Sequence, residues 1–178
     1  MKHDWFFIKE LYTKEQCLDI YNTAVNSITG LPDLPGKNKK AKSFVCIRKS
    51  FENKLDKFFD SVIWTNRTSF GLDIYNDLPN TININEYSNE DNEYGWHRDA
   101  TKHGDMADIK LTGILNLTTE PYTGGEFDLR QHDDVNIPEL DTPGSILIFP
   151  SIFYHRVRPV LQGKRITLSC WFLGPNFR

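Results

Sequence analysis

Several things are scarce in this 178-residue chain, and each scarcity removes a class of protein. Cysteine occurs only at Cys17, Cys46 and Cys170, an odd number at wide spacing with no CxxC pair, which excludes a disulfide framework and a thiolate metal site. The three thiols are therefore expected as small buried hydrophobes in a reducing compartment. No apolar targeting stretch follows Met1-Lys2-His3-Asp4-Trp5, so the expected location is the cytoplasm. No uncharged apolar run approaches membrane-spanning length, and no membrane partner is expected. Positive charge is not in excess either: 21 Lys and Arg face 24 Asp and Glu, for a formal charge of -3. Such a surface has no general attraction for polyanions, which counts against nucleic acid as a partner. No repeat of fixed period occurs, and the length suits one domain, residues 1–178, able to bury a core without staples.

What is present divides near residue 70. Trp5 to Ile8 is a short aromatic strand candidate. Thr13-Lys14-Glu15-Gln16 has the form of a capping box, followed by Cys17, Ile20, Tyr21, Ala24, Val25 and Ile28 at helical spacing. Residues 30–43 form a Pro/Gly/Lys-rich loop, expected as a solvated loop, with a basic strip near the site as the rival. Ser50 is placed to cap a second helix with the stripe Phe51, Leu55, Phe58, Phe59, Val62 and Ile63. Residues 1–70 thus read as helical support. Beyond them, with Ile74-Tyr75 as a first strand candidate, alternation of period 2 takes over. Ile82 and Ile84 share one face of a strand, while Asn83, Asn85 and Tyr87 share the other, a polar cavity wall rather than a core. Strands are also expected over 109–118, 126–130, 146–150, 154–160 and 165–172, with a corner at Gly124-Gly125 and a tight turn at Pro143-Gly144. Many short strands behind two helices predict a mainly β (α+β) fold: a double-stranded β-helix, or jelly roll, over 71–178, with the helices against one sheet.

Within that half, His97-Arg98-Asp99 is answered by His155 and then by Arg165. Two imidazoles and a carboxylate make the facial ligand set that holds non-haem Fe(II) while leaving positions open. On a strand, residues i and i+2 point the same way, so His97 and Asp99 can reach one metal together. Arg165, Thr167, Ser169 and Trp171 share one face of the last strand, where a guanidinium suits a bidentate clamp on a carboxylate. His3, His103 and His132 are expected to be solvent-exposed.

The ordered set, from Tyr87 to Trp171, resembles the 2-oxoglutarate and Fe(II) dependent oxygenases, most closely their prolyl 4-hydroxylase-like branch. The resemblance implies that His97, Asp99 and His155 bind the metal and that Arg165, helped by Ser169, binds the distal carboxylate of 2-oxoglutarate. Tyr87, ten residues before His97, stands where that branch carries an active-site tyrosine. Asn116 lies where it often carries a tyrosine on the co-substrate, so it is counted with Tyr87 and Ser169 among the co-substrate contacts. The implied cofactors are Fe(II), 2-oxoglutarate, O2 and the reductant ascorbate.

Other readings of the same residues fail on particular positions. A kinase catalytic loop needs an asparagine where Gly104 stands. A cupin resembles Pro143 to His155 but has no use for Arg165, and added 2-oxoglutarate would not stabilise it. Nucleic-acid demethylases carry a second arginine six residues after the first, where this chain has Trp171. Halogenating relatives lack the metal-binding carboxylate, which Asp99 supplies. The expected activity is a dioxygenase that hydroxylates a prolyl residue of a protein or peptide, the alternative being a free amino acid or small metabolite. Polar loops at 88–95 and 100–108 flank the metal segment, and Trp96 and Arg98 beside the ligands are placed to contact a peptide.

Overall fold

Short strands joined by tight turns follow from the period-2 patterning. In chain order the elements are β1 (Phe6–Ile8), α1 (Lys14–Asn26), β2 (Lys39–Lys40), β3 (Lys42–Ile47), α2 (Asp56–Thr65), β4 (Thr81–Ser88), β5 (Glu93–His97), β6 (Ile109–Asn116), β7 (Thr123–Gly124), β8 (Phe127–Arg130), β9 (Asp134–Asn136), β10 (Ile146–Pro150), β11 (Tyr154–Val157), β12 (Val160–Gln162) and β13 (Lys164–Leu173). The structure, a computed structural model, describes residues 5–30, 38–88, 92–101, 108–130 and 132–176. His3, His103 and much of the two loops flanking the metal segment lie outside the described residues.

A six-stranded sheet runs β1-β10-β6-β13-β4-β3, and a five-stranded sheet runs β2-β5-β11-β8-β9, with β12 and β7 as a separate pair. All pairings are antiparallel, and the architecture is the jelly roll expected from the strand pattern. Alternation sorts the side chains of the six-stranded sheet into two cores. Ile82, Ile84, Leu111, Leu115, Leu168, Cys170 and Phe172 meet the helices, burying Cys17, Ile20 and Ala24 of α1 and Phe58, Phe59 and Val62 of α2. Ile114, Leu147 and Phe149 instead join Phe127, Leu129, Val157 and Val160 between the sheets. Each fully buried Leu, Ile or Phe side chain in either core is worth about 1.5–3 kcal/mol. Where α2 crosses β6 the chain needs a residue without a side chain: a Cβ on Gly113 would lie 2.8 Å from Phe58 Cζ and 3.2 Å from Val62 Cγ2.

The local expectations hold in part. The capping box forms, with Thr13 Oγ1 accepting from Gln16 N and Gln16 Oε1 accepting from Thr13 N. Val25 and Ile28, counted in the α1 stripe, are exposed: a 3.6-residue period rotates Val25 off the face set by Cys17, Ile20 and Ala24, and Ile28 lies beyond the end of α1, bridged to Cys46. Ser50 does not cap α2. It lies inside a 3-10 turn, Arg48–Phe51, and α2 begins at Asp56 without a side-chain cap. Ile74-Tyr75 is not a strand, although Tyr75 N donates to Leu173 O at 2.8 Å. The 30–43 stretch is not wholly a loop either: β2 pairs with β5, and Lys39 Nζ lies 5.6 Å over the Tyr94 ring. The N-terminal region thus supplies strands to both sheets as well as two helices. All three cysteines are free and buried. Among the described residues no helix is long and apolar enough to cross a membrane.

Candidate functional site

Two neighbouring strands of the five-stranded sheet set the centre of the site. β5 and β11 pair so that His97 stands directly opposite His155, with ring centroids 4.0 Å apart. β5 ends at His97, so Asp99 is not on the strand as i+2 alternation assumed. A turn holds it instead: Asp99 N and Ala100 N both donate to Ser151 O, at 3.1 and 3.0 Å. The carboxylate reaches the same point, with Oδ1 3.6 Å from His97 Nε2 and Oδ2 3.5 Å from His155 Nε2. One ligand atom from each residue lies within 4.8 Å of the other two.

The imidazoles are oriented for this from behind. Nδ1 of His97 lies 2.8 Å from Gly95 O, and Nδ1 of His155 lies 3.1 Å from Phe153 O. A carbonyl only accepts, so each Nδ1 carries the proton and each Nε2 turns a lone pair to Asp99. Tyr94 stacks on His97 at 3.4 Å, while Phe127 and Phe149 enclose His155 at 5.6 and 4.9 Å. Burial, reinforced by the neighbouring His155, pushes the His97 pKa down to about 4, so the ring is neutral near pH 7 and able to ligate. Thr112 Oγ1 donates to Asp99 Oδ2 at 2.7 Å and lies 2.8 Å from Ser151 Oγ. Donors about 2.0–2.2 Å from one divalent ion stand roughly 3–4 Å apart. Three inward-facing lone-pair atoms at such spacing fit a transition-metal ion, which would relieve their mutual repulsion.

Arg165 opens the inner face of β13 and is 1% exposed. Its Nε and Nη2 are buried without a hydrogen-bond partner among the described residues. These nitrogens carry the parallel N–H pair along one edge of the guanidinium, the geometry that a carboxylate meets bidentately. An unmet buried charge of this kind costs several kcal/mol, so the fork fits an anionic group supplied from outside the chain. Glycine is required beside it: Gly125, at φ +70°, would place a Cβ 3.0 Å from Arg165 Cδ.

The other expected contacts divide. Tyr87 pairs with Arg165 across β4 and β13, its ring 5.8 Å from the guanidinium. Ser169 faces inward, its Oγ accepting from Asn85 Nδ2 at 3.2 Å. Asn83, Asn85 and Tyr87 are buried on the inner face of β4, as the cavity-wall reading requires. Asn116 is fully buried, but its amide is spent within the chain: Nδ2 donates to Leu140 O and Oδ1 accepts from Thr118 N, each at 2.8 Å. His132 is exposed.

Sequence reasoning passed over Tyr122. Its hydroxyl donates to Asp141 Oδ1 at 3.3 Å and lies near enough to the Arg165 guanidinium to feel its charge. Burial pushes both the Tyr122 and the Asp141 pKa up, and nearby Arg165 opposes each shift. A cavity of about 410 Å³ lined by Thr118, Tyr122, Glu126 and Asp141, among others, touches neither the three ligands nor Arg165.

Comparison with known proteins agrees with this geometry. The profile of the 2OG-Fe(II) oxygenase superfamily matches residues 82–173, just over half of the chain. A PKHD-type hydroxylase of Aliarcobacter butzleri is 30% identical over 177 residues, covering 92% of this chain and 76% of that protein. Other PKHD-type hydroxylases match over 79 to 102 residues, and the chain spans only 35 to 45% of their length. The viral collagen prolyl hydroxylase of Paramecium Bursaria Chlorella virus-1, solved with 2OG, superposes with a TM-score of 0.74 over 97% of each chain at 16% identity. A Trichoplax adhaerens prolyl hydroxylase, in complex with a hypoxia inducible factor peptide fragment, superposes with a TM-score of 0.69 at 18% identity, covering 96% of this chain and 84% of that one. With a profile match across the half that holds the ligands and a relative aligned nearly end to end, the chain belongs to the 2OG-Fe(II) oxygenase superfamily and has the fold of its prolyl-hydroxylase-like branch.

Proposed function

We propose that the chain is a single-domain dioxygenase, dependent on Fe(II) and 2-oxoglutarate, that hydroxylates a prolyl residue in a polypeptide. The observation that carries this reading is the pairing of two complementary vacancies of charge: three converging lone-pair donors at His97, Asp99 and His155, and an unmet guanidinium fork at Arg165. A metal ion answers the first and a dicarboxylate the second. When bound, Fe(II) with 2-oxoglutarate and O2 supplies hydroxylation, one oxygen atom going to the substrate C–H and the other to succinate, with release of CO2.

The chain's own residues orient and shield that chemistry. His97 and His155 are held in the ligating tautomer by Gly95 and Phe153, and Thr112 fixes one oxygen of Asp99. Nε and Nη2 of Arg165 take the distal carboxylate of 2-oxoglutarate, while Tyr87 and Ser169 line the inner face beside it. Tyr122 acts as a positioning residue: anchored on Asp141, its hydroxyl stands beside the guanidinium and steadies the fork. That arrangement supplies the polar contact that Asn116, with its amide already spent, does not. Phe127 and Phe149 keep water from the histidines. Ascorbate would keep the iron ferrous between turnovers.

The polypeptide reading draws support from the Trichoplax relative, which is solved with a peptide fragment, and from the PKHD-type relatives. Incubating the iron-loaded protein with 2-oxoglutarate and a panel of proline-containing peptides should raise succinate release above the level without peptide and yield hydroxyproline. If a free amino acid stimulates turnover and no peptide does, the substrate is a small molecule.

A further inference from the structure

The histidines occupy one face of the five-stranded sheet, and the opposite face carries a cluster that the metal site does not use. Alternation turns His155 and Val157 inward with Phe127 and Leu129, so Tyr154 and Arg156 of β11 point outward with Asp128 and Arg130 of β8, and Arg158, just past the end of β11, joins them on Asp128. Trp96, the residue before His97, lies there between two guanidiniums, with Arg130 4.0 Å and Arg156 4.7 Å from its ring centroid. Beside it Arg98, flanked in sequence by the ligands His97 and Asp99, lies 4.7 Å over the ring of Tyr154.

The charges on this face do not balance. Asp128, 1% exposed, accepts from Arg156 Nε at 2.7 Å and from Arg158 Nε and Nη2 at 2.7 and 3.0 Å. Asp134 accepts from Arg130, and its side chain is 48% exposed. Arg130, Arg156 and Arg158 thus share two aspartates, and Arg98 stacks on Tyr154 beside them, on one face of a chain whose formal charge is -3. A ladder serving only to hold the strands together would alternate the signs, since like charges across a sheet destabilise it. Instead Arg130 and Arg156 both stack on the Trp96 indole, and Arg156 shares the single carboxylate of Asp128 with Arg158. Stacking on a ring leaves the in-plane N–H groups of a guanidinium available to planar acceptors, and the exposed Asp134 occupies one edge of Arg130 as an incoming carboxylate would.

We propose that this outer face binds an acidic segment of the polypeptide substrate, with Arg98, Arg130 and Arg156 taking Asp or Glu carboxylates and Trp96 and Tyr154 packing against the backbone. The assignment rests on the polypeptide reading above. It commits to carboxylates because the exposed partner that Arg130 already holds is a carboxylate and because a local excess of arginine over aspartate suits a short acidic run better than a polyphosphate backbone. Trp96, Arg98 and Tyr154 each adjoin a ligand in sequence, so the docked segment would lie a few residues from the oxidised one.

The test uses two fluorescent peptides with the same proline-containing centre, one flanked by four glutamates and one by four glutamines, titrated against the full chain by fluorescence polarisation. The acidic peptide is expected to bind about tenfold more tightly, a gain that falls as salt rises. The preference should vanish in the Arg98→Ala/Arg130→Ala double variant and reverse toward a lysine-flanked peptide in Arg98→Glu/Arg130→Glu, with melting curves confirming the fold of each. Equal affinities in the unmodified protein, or a preference that survives both double variants, would overturn the proposal. So would tighter, equally salt-sensitive binding of a single-stranded oligonucleotide in a parallel titration. Acid-dependent binding without hydroxyproline would instead refute the prolyl reading and leave the surface standing, whereas hydroxyproline formed regardless of flank would leave the enzyme and remove the surface.

Discussion

The two main sheets obey the same alternation and spend it differently. In the six-stranded sheet both faces are covered: apolar side chains meet α1 and α2 on one side, while Asn85, Tyr87, Arg165 and Ser169 face the interior on the other. In the five-stranded sheet only the inner face is enclosed, by His97, His155, Phe127 and Leu129, and the outer face is a set of arginines and aspartates half open to water. The helix-backed sheet carries the Arg165 guanidinium on its inner face, and the other sheet carries His97 and His155, with Asp99 on the turn that follows β5.

The sharpest way to break that division is at the ligands themselves. His97→Ala, Asp99→Ala and His155→Ala should each lower iron-dependent 2-oxoglutarate turnover by at least about a thousandfold while the protein keeps its fold. Succinate assays paired with melting curves check this, and full activity in Asp99→Ala would undo it. On the opposite sheet, Arg165→Lys should raise the KM for 2-oxoglutarate about 10- to 100-fold, since one ammonium replaces two parallel charge-assisted bonds worth about 1.5–3 kcal/mol. Tyr122→Phe, which removes only the hydroxyl between Asp141 and the fork, should raise that KM about threefold to tenfold and leave kcat unchanged. A fall in kcat with KM unchanged would separate Tyr122 from the carboxylate. The smallest effects compare the sheets as scaffolds. Gly113→Ala, pressed against Phe58, should destabilise by about 1–3 kcal/mol, whereas Arg130→Ala on the exposed face should leave the unfolding midpoint nearly unchanged, both measured by denaturant unfolding.

Much of this was legible in the sequence where a local pattern had a single meaning. The alternation of Ile82, Ile84 and Tyr87, and of Arg165, Ser169 and Cys170, placed each side chain on its observed face of the six-stranded sheet. The ordered His-x-Asp and His spacing picked out three residues whose ligand atoms the fold brings together. What escaped depends on partners remote in sequence. Tyr122 lies outside any periodic segment, and its place is set by Asp141, nineteen residues on, and by Arg165. Asn116 has the inward parity of β6, but the Leu140 carbonyl, 24 residues away, takes its amide. Ser50 looks like a helix cap, yet the chain tightens into a 3-10 turn there so that Phe51 and Leu55 can both be buried. Asp99 reaches the histidines through a turn fixed by Ser151, which strand geometry alone does not foresee.

The central claim is that a metal and a dicarboxylate bind together, one to each sheet's contribution. It is tested most directly by the melting temperature of the anaerobic protein with Fe(II) alone, with 2-oxoglutarate alone and with both, in the unmodified chain and in Asp99→Ala and Arg165→Ala. The account predicts a further rise when 2-oxoglutarate is added to the iron-loaded unmodified protein, little effect of 2-oxoglutarate without metal, and loss of that rise in both variants. A 2-oxoglutarate-dependent rise of equal size in Asp99→Ala, or in Arg165→Ala, would contradict it.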